Sequence, residues 1–344
     1  MAWGQARPYN FAFEGHNCHV KGEEMAARII DGEAVAKGIR DAVKADAVAL
    51  RASGRAVHLF AVQVGANAAS QVYVRNQQAS CEELGIDYTL DVLPAETSEA
   101  ALIDHLGKLN ASSECTGIIL QMPLPEQIDR RKAQAAITPS KDVEGMNPAN
   151  MGMVIAGDPY IGPCTALGAV ELVYSLGLRC EAKIPDWVEQ DIKRRGLKRG
   201  LYGKEVVVVG HSEIVGKPIG LLLLNQYCTV TTCHIGTQDL GAHTRRADIL
   251  VVAVGKPGLV NAGMIKPGAV VIDVGINRVG VVDAQGKPVL NEKGKPKMKT
   301  VGDVDFATAS AVAGWITPVP GGVGPMTVAI LVRNTVRAAQ AQAQ

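Results

Sequence analysis

From Ala56 onward, short apolar runs alternate with longer stretches of helical periodicity, and this alternation restricts the chain to a small set of folds. A strand that feeds a helix and returns to a parallel neighbour crosses over right-handedly, so a chain written this way builds parallel sheets covered by helices. In the first half, His58 to Gly65 reads as a strand, Ala69 to Leu84 as a helix, Tyr88 to Leu93 as a strand, Ser98 to Asn110 as a helix and Gly117 to Met122 as a strand. A second series follows: a helix near Thr165, strand Glu205 to Gly210, helix Ile214 to Asn225, then strands Thr229 to His234, Ile249 to Gly255 and Ala269 to Ile276, with helix Val323 to Gln340 closing the pattern. The class is α/β, and 344 residues are long for one core and comfortable for two. At least half of a doubly wound sheet is expected in the second series.

Charge excludes some functions. Lys+Arg number 35 against 34 Asp+Glu, so no global field draws the chain to nucleic acid or to an anionic membrane. The longest apolar runs end at Gly far short of the ~20 residues that span a bilayer. Seven cysteines are scattered without a C-x-x-C pair, which suggests neither a disulfide framework nor a zinc site and points to a reducing cytoplasm. Residues 1 to 24 lack periodicity and the features of a signal peptide, and are expected to form a poorly ordered extension; His16, Cys18 and His19 find no further ligand pair at finger spacing, so no metal is expected. Arg179 to Tyr202, with a basic cluster read as a solvated face, and Asp283 to Lys299, read as a hairpin or mobile loop, stand outside the rhythm as surface elaborations.

Strand Glu205 to Val209 runs into Gly210-His211-Ser212-Glu213-Ile214-Val215-Gly216-Lys217-Pro218, a turn that opens a helix. Backbone N–H groups and the helix dipole at such a turn favour a pyrophosphate, although Ser212 and Gly216 depart from G-x-G-x-x-G and an ordinary strand-to-helix turn reads the same way. The next strand ends at His234-Ile235-Gly236-Thr237, with neither the acid that holds ribose hydroxyls nor the Arg that accepts a 2′-phosphate. In the first half, Tyr73 and Gln77 lie four apart on one helix face, Gln121 ends a strand, and Asp142 and Glu144 would share one side of an extended segment. Each alone also reads as helix surface, strand end or solvated acid. Near the C-terminus, Ile316 to Thr327 is rich in Pro and Gly, which suits a rigid wall that a flat ligand can approach closely.

Taken together these segments resemble the bifunctional methylenetetrahydrofolate dehydrogenase/methenyltetrahydrofolate cyclohydrolase family, from Met25 to the final helix. The matching motifs are Ile30-Asp31-Gly32, Val64-Gly65 with Ala69 to Val74, Gly117 to Pro125, Lys141-Asp142-Val143-Glu144-Gly145, Pro163-Cys164-Thr165, the Gly210 to Pro218 turn, Asp273-Val274-Gly275-Ile276-Asn277, Gly302-Asp303-Val304 and Thr317 to Thr327. The resemblance implies a three-layer catalytic, folate-binding domain (25–164 plus 318–344) and a Rossmann-like doubly wound nicotinamide-binding domain (165–317), NADP or NAD as cofactor, no metal, tetrahydrofolate one-carbon derivatives as ligands, and usually a homodimer. Tyr73 would stack on the aminobenzoate ring, Gln121 would orient the one-carbon unit, and Glu144 would bond the pterin's amino edge. Val74, Arg75, Asn76, Gln77, Leu120, Met122, Pro320, Gly321, Gly322, Val323 and Gly324 would complete the folate site. Thr165, Gly210, His211, Ser212, Ile235 and Ile276 would line the cofactor.

Three departures from the family carry consequences. Its catalytic lysine, four residues after the tyrosine, is Gln77 here, and an amide exchanges no proton at neutral pH, whereas acid–base help in opening the methenyl bridge is typically worth ~10²–10⁴-fold. Oxidation of the methylene bridge needs positioning instead, so dehydrogenase activity is expected to survive and cyclohydrolase activity to be lost or weak. Glu144 stands where the family typically has Asp. His211 and Ile235 replace an Arg and a Ser used for the adenosine phosphate, which weakens a preference for NADP over NAD. Two other readings stay open: a full bifunctional enzyme with water activated by a group such as Glu144, and an inactive folate-binding protein.

Overall fold

A computed structural model describes residues 26–65, 70–157, 159–178, 186–194, 199–283, 285, 287–292 and 294–342. The N-terminal extension with His16, Cys18 and His19, and much of the basic segment after Leu178, lie outside the described residues. In chain order the strands are β1 (Arg28–Ile29), β2 (His58–Val64), β3 (Asp87–Leu93), β4 (Gly117–Leu120), β5 (Glu205–Val209), β6 (Thr229–Cys233), β7 (Ile249–Val252), β8 (Val270–Asp273), β9 (Asn277–Gly280), β10 (Met298–Val301) and β11 (Trp315–Ile316). The helices are α1 (Gly32–Ala52), α2 (Ser70–Leu84), α3 (Glu99–Ala111), α4 (Arg130–Ala136), α5 (Pro148–Ala156), α6 (Cys164–Ser175), α7 (Asp186–Arg194), α8 (Gly216–Leu224), α9 (Leu240–Thr244), α10 (Phe306–Ala309) and α11 (Val323–Ala341). The described residues form two compact units, one within 34–168 and 326–342, the other within 169–325 with 26–33.

The first unit is built on a parallel sheet in the order β3-β2-β4. Leu59, Ala61, Val62 and Val64 of β2 and Ile118, Ile119 and Leu120 of β4 are all buried, as expected of strands covered on both faces. Leu102, Leu106 and Leu109 of α3 recur at helical spacing and pack on Val62, Val64, Ile118 and Leu120, each contributing on the order of 1.5–3 kcal/mol by leaving water. Ser98 starts α3 by accepting a hydrogen bond from the Ala101 N–H. The buried Lys141 ends it: its ammonium donates to the carbonyls of Leu109, Asn110 and Ser112 at 3.1, 2.8 and 2.6 Å, satisfying the unpaired end of the helix.

The second unit carries a six-stranded parallel sheet in the order β1-β11-β8-β7-β5-β6. Its sequence order runs outward in one direction from β5 to β6 and in the other from β7 to β8, so the direction of winding reverses between β5 and β7, the point at which such sheets bind ligands beyond their carboxyl ends. The apolar runs predicted as strands to Gly255 and Ile276 are shorter as strands, and the reason is a pair of buried acids. Asp303 accepts from the N–H groups of Val254 and Gly255 at 2.6 and 2.9 Å and turns the chain away after β7. Asp273 accepts from Gly275, Asp303 and Val304 N–H groups and does the same after β8. The predicted elaboration after Val282 is an antiparallel ribbon: β9 pairs with β10, and bridges at Val282–Pro288 and Leu290–Pro296 continue it.

Candidate active site

In the first unit, Val74, Gln77, Cys81 and Leu84 form the buried stripe of α2, so Gln77 is a polar residue in an apolar row. Its oxygen is satisfied there: the Gln121 Nε2 donates to Gln77 Oε1 at 2.8 Å, and the Tyr88 hydroxyl donates to the same oxygen at 3.3 Å. Tyr73, one turn before Gln77, is 41% exposed, which leaves its ring available for stacking. Gln121 is fixed from its main chain, where its N–H extends the ladder to the Val62 carbonyl. Of the predicted folate residues, the structure therefore brings Gln77 and Gln121 into direct contact. Val74 and Leu120 point into the core and could meet a ligand only through their backbone, while Arg75 faces outward and its Nε returns to the Gln71 carbonyl.

The Lys141 to Gly145 motif is not the extended segment the sequence suggested. It bridges Ile118 through Asp142 and then turns. Asp142 is buried, and its carboxylate accepts from the Gly145 N–H, the Asn147 N–H and the Asn150 amide, so it is committed to the turn and is not free to stand in for Glu144. Gly145 has φ +76°, and a Cβ there would lie 2.2 Å from the Gly162 carbonyl carbon. Asn334 of α11 donates to the Val143 and Gly162 carbonyls at 2.9 and 3.0 Å, and the Cys164 N–H bonds the Glu144 carbonyl. The motif is thus held in place by a loop and a helix distant in sequence, with Glu144 as its one uncommitted acid.

Glu144 is partly buried, and burial first, then the Asp142 charge, push its carboxyl up to about 8 against the opposing pull of Arg130. Between its ordinary value of 4.5 and about 8 the folded chain holds a proton that the unfolded chain has lost. Stability contributed by this group is therefore fully present below pH 4.5 and falls as pH rises toward 8. Denaturant midpoints measured from pH 5 to 9 are expected to decline across that window in the wild type and to flatten in Glu144→Gln; a slope unchanged by the substitution would assign it to another group.

In the second unit, the Gly210 turn lies at the reversal between β5 and β7. Gly210 has φ +124°, and a Cβ on it would lie 2.2 Å from the Ala253 carbonyl oxygen, while one on Gly216 would lie 2.0 Å from the Gly210 oxygen. Backbone thus packs directly on backbone where β5 passes into α8. Ser212 opens that helix, accepting the Gly216 N–H on its hydroxyl and the Lys217 N–H on its carbonyl, and Pro218 has no N–H to satisfy. A dinucleotide phosphate fits this cradle, because side chains are excluded and helix N–H groups lie at its rim. His211 and His234, from the ends of β5 and β6, place their rings 5.0 Å apart. Ile235 is wholly exposed and Ile276 half exposed at the carboxyl ends of β6 and β8, a placement suited to apolar contact with a bound nucleotide.

The Pro320 to Gly324 wall joins the second unit. The Gly322 oxygen would lie 1.8 Å from a Cβ on Gly32, which explains why Ile30-Asp31-Gly32 belongs with it, and Thr317 accepts the Asp273 N–H at 2.7 Å. Thr165 lies in the first unit, its hydroxyl 3.4 Å from that of Thr327. Among the described residues, no cluster of potential metal ligands is present and no helix is long and apolar enough to cross a membrane. Tyr88, Asp273, Asp303 and Asn334 were not singled out by the sequence; the two aspartates sat inside recognised motifs, but Tyr88 and Asn334 carry no local signal.

Known proteins resemble this chain along nearly its whole length. Residues 30–144 match the family model of the tetrahydrofolate dehydrogenase/cyclohydrolase catalytic domain, and residues 192–343 match that of its NAD(P)-binding domain. The bifunctional protein FolD of Moorella thermoacetica is 46% identical over 316 residues, covering 92% of this chain and all of that one. Among solved structures, the FolD methylenetetrahydrofolate dehydrogenase/cyclohydrolase of Campylobacter jejuni is 36% identical with a TM-score of 0.79, covering 92% of this chain and 100% of the other. The Trypanosoma brucei enzyme, complexed with NADP and an inhibitor, is 35% identical with a TM-score of 0.75, over 93% and 99% of the two chains. With both domain models matched in order and relatives aligned along nearly the whole length, the chain belongs to the tetrahydrofolate dehydrogenase/cyclohydrolase family.

Proposed function

We propose that this chain oxidises 5,10-methylenetetrahydrofolate to 5,10-methenyltetrahydrofolate with NADP or NAD, and that its hydrolysis of the product is lost or weak. The observation that carries the second half is the state of Gln77: where the family resemblance implies a lysine, a buried amide accepts hydrogen bonds from Gln121 and Tyr88. A nicotinamide held at the Gly210 turn would supply the hydride acceptor for the methylene carbon, and the positive charge left on the folate is shared by its two flanking nitrogens. The chain's part is to position: Tyr73 stacks on the aminobenzoate ring, Gln121 orients the one-carbon unit, Glu144 bonds the pterin's amino edge, and the Gly210 turn receives the pyrophosphate. No proton has to move in that step. Hydrolysis differs, because water must lose a proton as it adds to the bridge carbon and a ring nitrogen must gain one as its bond to carbon breaks. Gln77 can do neither.

One observation favours the full bifunctional reading. Glu144, raised to about 8 by burial, holds its proton in the range where acid–base catalysts operate. The two readings separate in one experiment. Purified protein is given methylenetetrahydrofolate with NADP and, in parallel, NAD, and the methenyl absorbance is followed; decay of added methenyltetrahydrofolate is then compared with a protein-free blank. The expected result is a rise in the first assay with comparable use of both cofactors, and blank-like decay in the second. Rapid enzyme-dependent decay, abolished by Glu144→Gln, would replace the monofunctional reading by the bifunctional one, and no rise with either cofactor would leave a folate-binding protein. A homodimer is part of the same proposal and is read from the mass in light scattering.

A further inference from the structure

The first unit presents a tyrosine that nothing above has assigned to the reaction. Gly85, with φ +69°, turns the chain tightly between α2 and β3, and the Ile86 N–H returns to the Cys81 carbonyl. This hairpin-like return lays the first residues of β3 along the last turns of α2. Tyr88, in register with Leu59 of the neighbouring strand, reaches Gln77 in this way. Gln77 Oε1 therefore takes two donors, one from Gln121 and one from Tyr88, and neither contact engages its Nε2. With the oxygen engaged by both partners, the NH₂ group is the end offered to a ligand. Burial raises the Tyr88 phenol above its ordinary value, so its hydroxyl stays protonated at any working pH and remains able to donate.

We propose that Tyr88 is a positioning residue for folate oxidation, holding the Gln77–Gln121 pair in the one arrangement that presents the Gln77 amide and orients the one-carbon unit. A lysine at position 77 would carry donors only and would need acceptors around it. A glutamine carries both kinds of group, and in the observed arrangement its oxygen faces the Tyr88 hydroxyl and the Gln121 amide while its NH₂ group faces away from both. Tyr88 thus complements the replacement of lysine by glutamine rather than repeating the lysine's chemistry. This inference rests on the dehydrogenase reading, and its test is arranged so that the two can fail separately.

The test is a double-mutant cycle on wild type, Tyr88→Phe, Gln77→Met and the double variant, which isolates what Tyr88 does through Gln77. Each protein is assayed for kcat and KM in methylenetetrahydrofolate oxidation, for tetrahydrofolate affinity by calorimetry, and for thermal midpoint. Removing one neutral hydrogen bond from a positioned group is expected to lower kcat by about 3- to 10-fold with KM nearly unchanged. The same substitution is expected to change nothing when Gln77 is already Met, and thermal midpoints of the Phe pair should track each other. Equal losses in both backgrounds, or no loss in the wild-type background, would overturn the proposal. If the wild type does not oxidise the folate, the functional reading fails, and the affinity cycle then decides: coupling between Tyr88 and Gln77 in tetrahydrofolate binding upholds the positioning role, and additivity removes it. The affinity cycle also decides if Gln77→Met has no measurable turnover.

Discussion

Gln77→Lys is expected to confer methenyltetrahydrofolate hydrolysis at ~10²–10⁴ times the wild-type rate, the gain typical of a positioned acid–base group. The surroundings suit the new side chain. The Gln121 amide can rotate to offer its carbonyl, the Tyr88 hydroxyl can accept as well as donate, and both already lie within hydrogen-bond reach of position 77. Position 77 is buried, and burial disfavours an ammonium, drawing its pKa down toward neutrality where it can exchange a proton at working pH. The same desolvation predicts a lower thermal midpoint than wild type, and one that recovers as pH rises and the amine loses its charge. The measurement is the decay of methenyl absorbance against a blank, beside the forward oxidation rate. Restored hydrolysis with oxidation kept within a few-fold would tie the monofunctional character to this single side chain. Unchanged hydrolysis in a folded variant would show that some other group limits the reaction.

Gly210→Ala is expected to have the largest effect in the nucleotide-binding unit. The residue sits at φ +124°, where side chains are rarely accommodated, and the added carbon would fall 2.2 Å from the Ala253 carbonyl oxygen. That oxygen belongs to the chain leaving β7, whose Ala253 N–H bonds the Val209 carbonyl at 2.8 Å, so the clash cannot be relieved without parting β5 from β7 at their carboxyl ends. Backbone strain of this kind costs on the order of 1–3 kcal/mol before the steric term is added. The expected outcome is a loss of about 3 kcal/mol or more in denaturant unfolding and a weakening of NADP binding of roughly 100-fold or more, both together. Gly107→Ala is the control: it lies within α3, an added Cβ meets nothing within 4 Å, and the change is expected to raise stability by about 0.5–1 kcal/mol without touching affinity. Normal NADP affinity in Gly210→Ala would show that the turn is not the pyrophosphate site.

Much of this was written locally. The alternation of apolar runs and amphipathic stretches gave α/β layering, because a buried parallel strand and its crossover helix each leave a pattern within a few residues. Gly210 announced itself through its place between a Val-rich strand and a helix. Tyr73 and Gln77 were placed on one face by spacing alone. The rest depended on pairings that no local pattern encodes. Asp273 and Asp303, 30 residues apart, shorten β7 and β8 by pulling the chain into turns, so apolar runs that looked like longer strands are not. β1 lies beside β11 although nearly the whole chain separates them. Lys141 and Asp142 stood out in the sequence only as members of the motif that carries Glu144, yet one ends α3 and the other ties a turn. Tyr88 is half of a pair whose other half is on a different element, and only the fold reveals it.

The anchoring of the acidic turn by Asn334 bears on how the protein is made. Synthesis proceeds from the N-terminus, and domains ordinarily fold as they emerge. Here the helix that fixes the carbonyls of Val143 and Gly162 is translated 191 and 172 residues after them. While the intervening second unit is still being produced, the β3-β2-β4 sheet can form but the turn bearing Glu144 lacks its clamp. The second unit ends at Pro325, so the clamp on the first unit's turn is added only after nearly all of the second has been made, and a chain stalled before Asn334 carries the Glu144 turn without it.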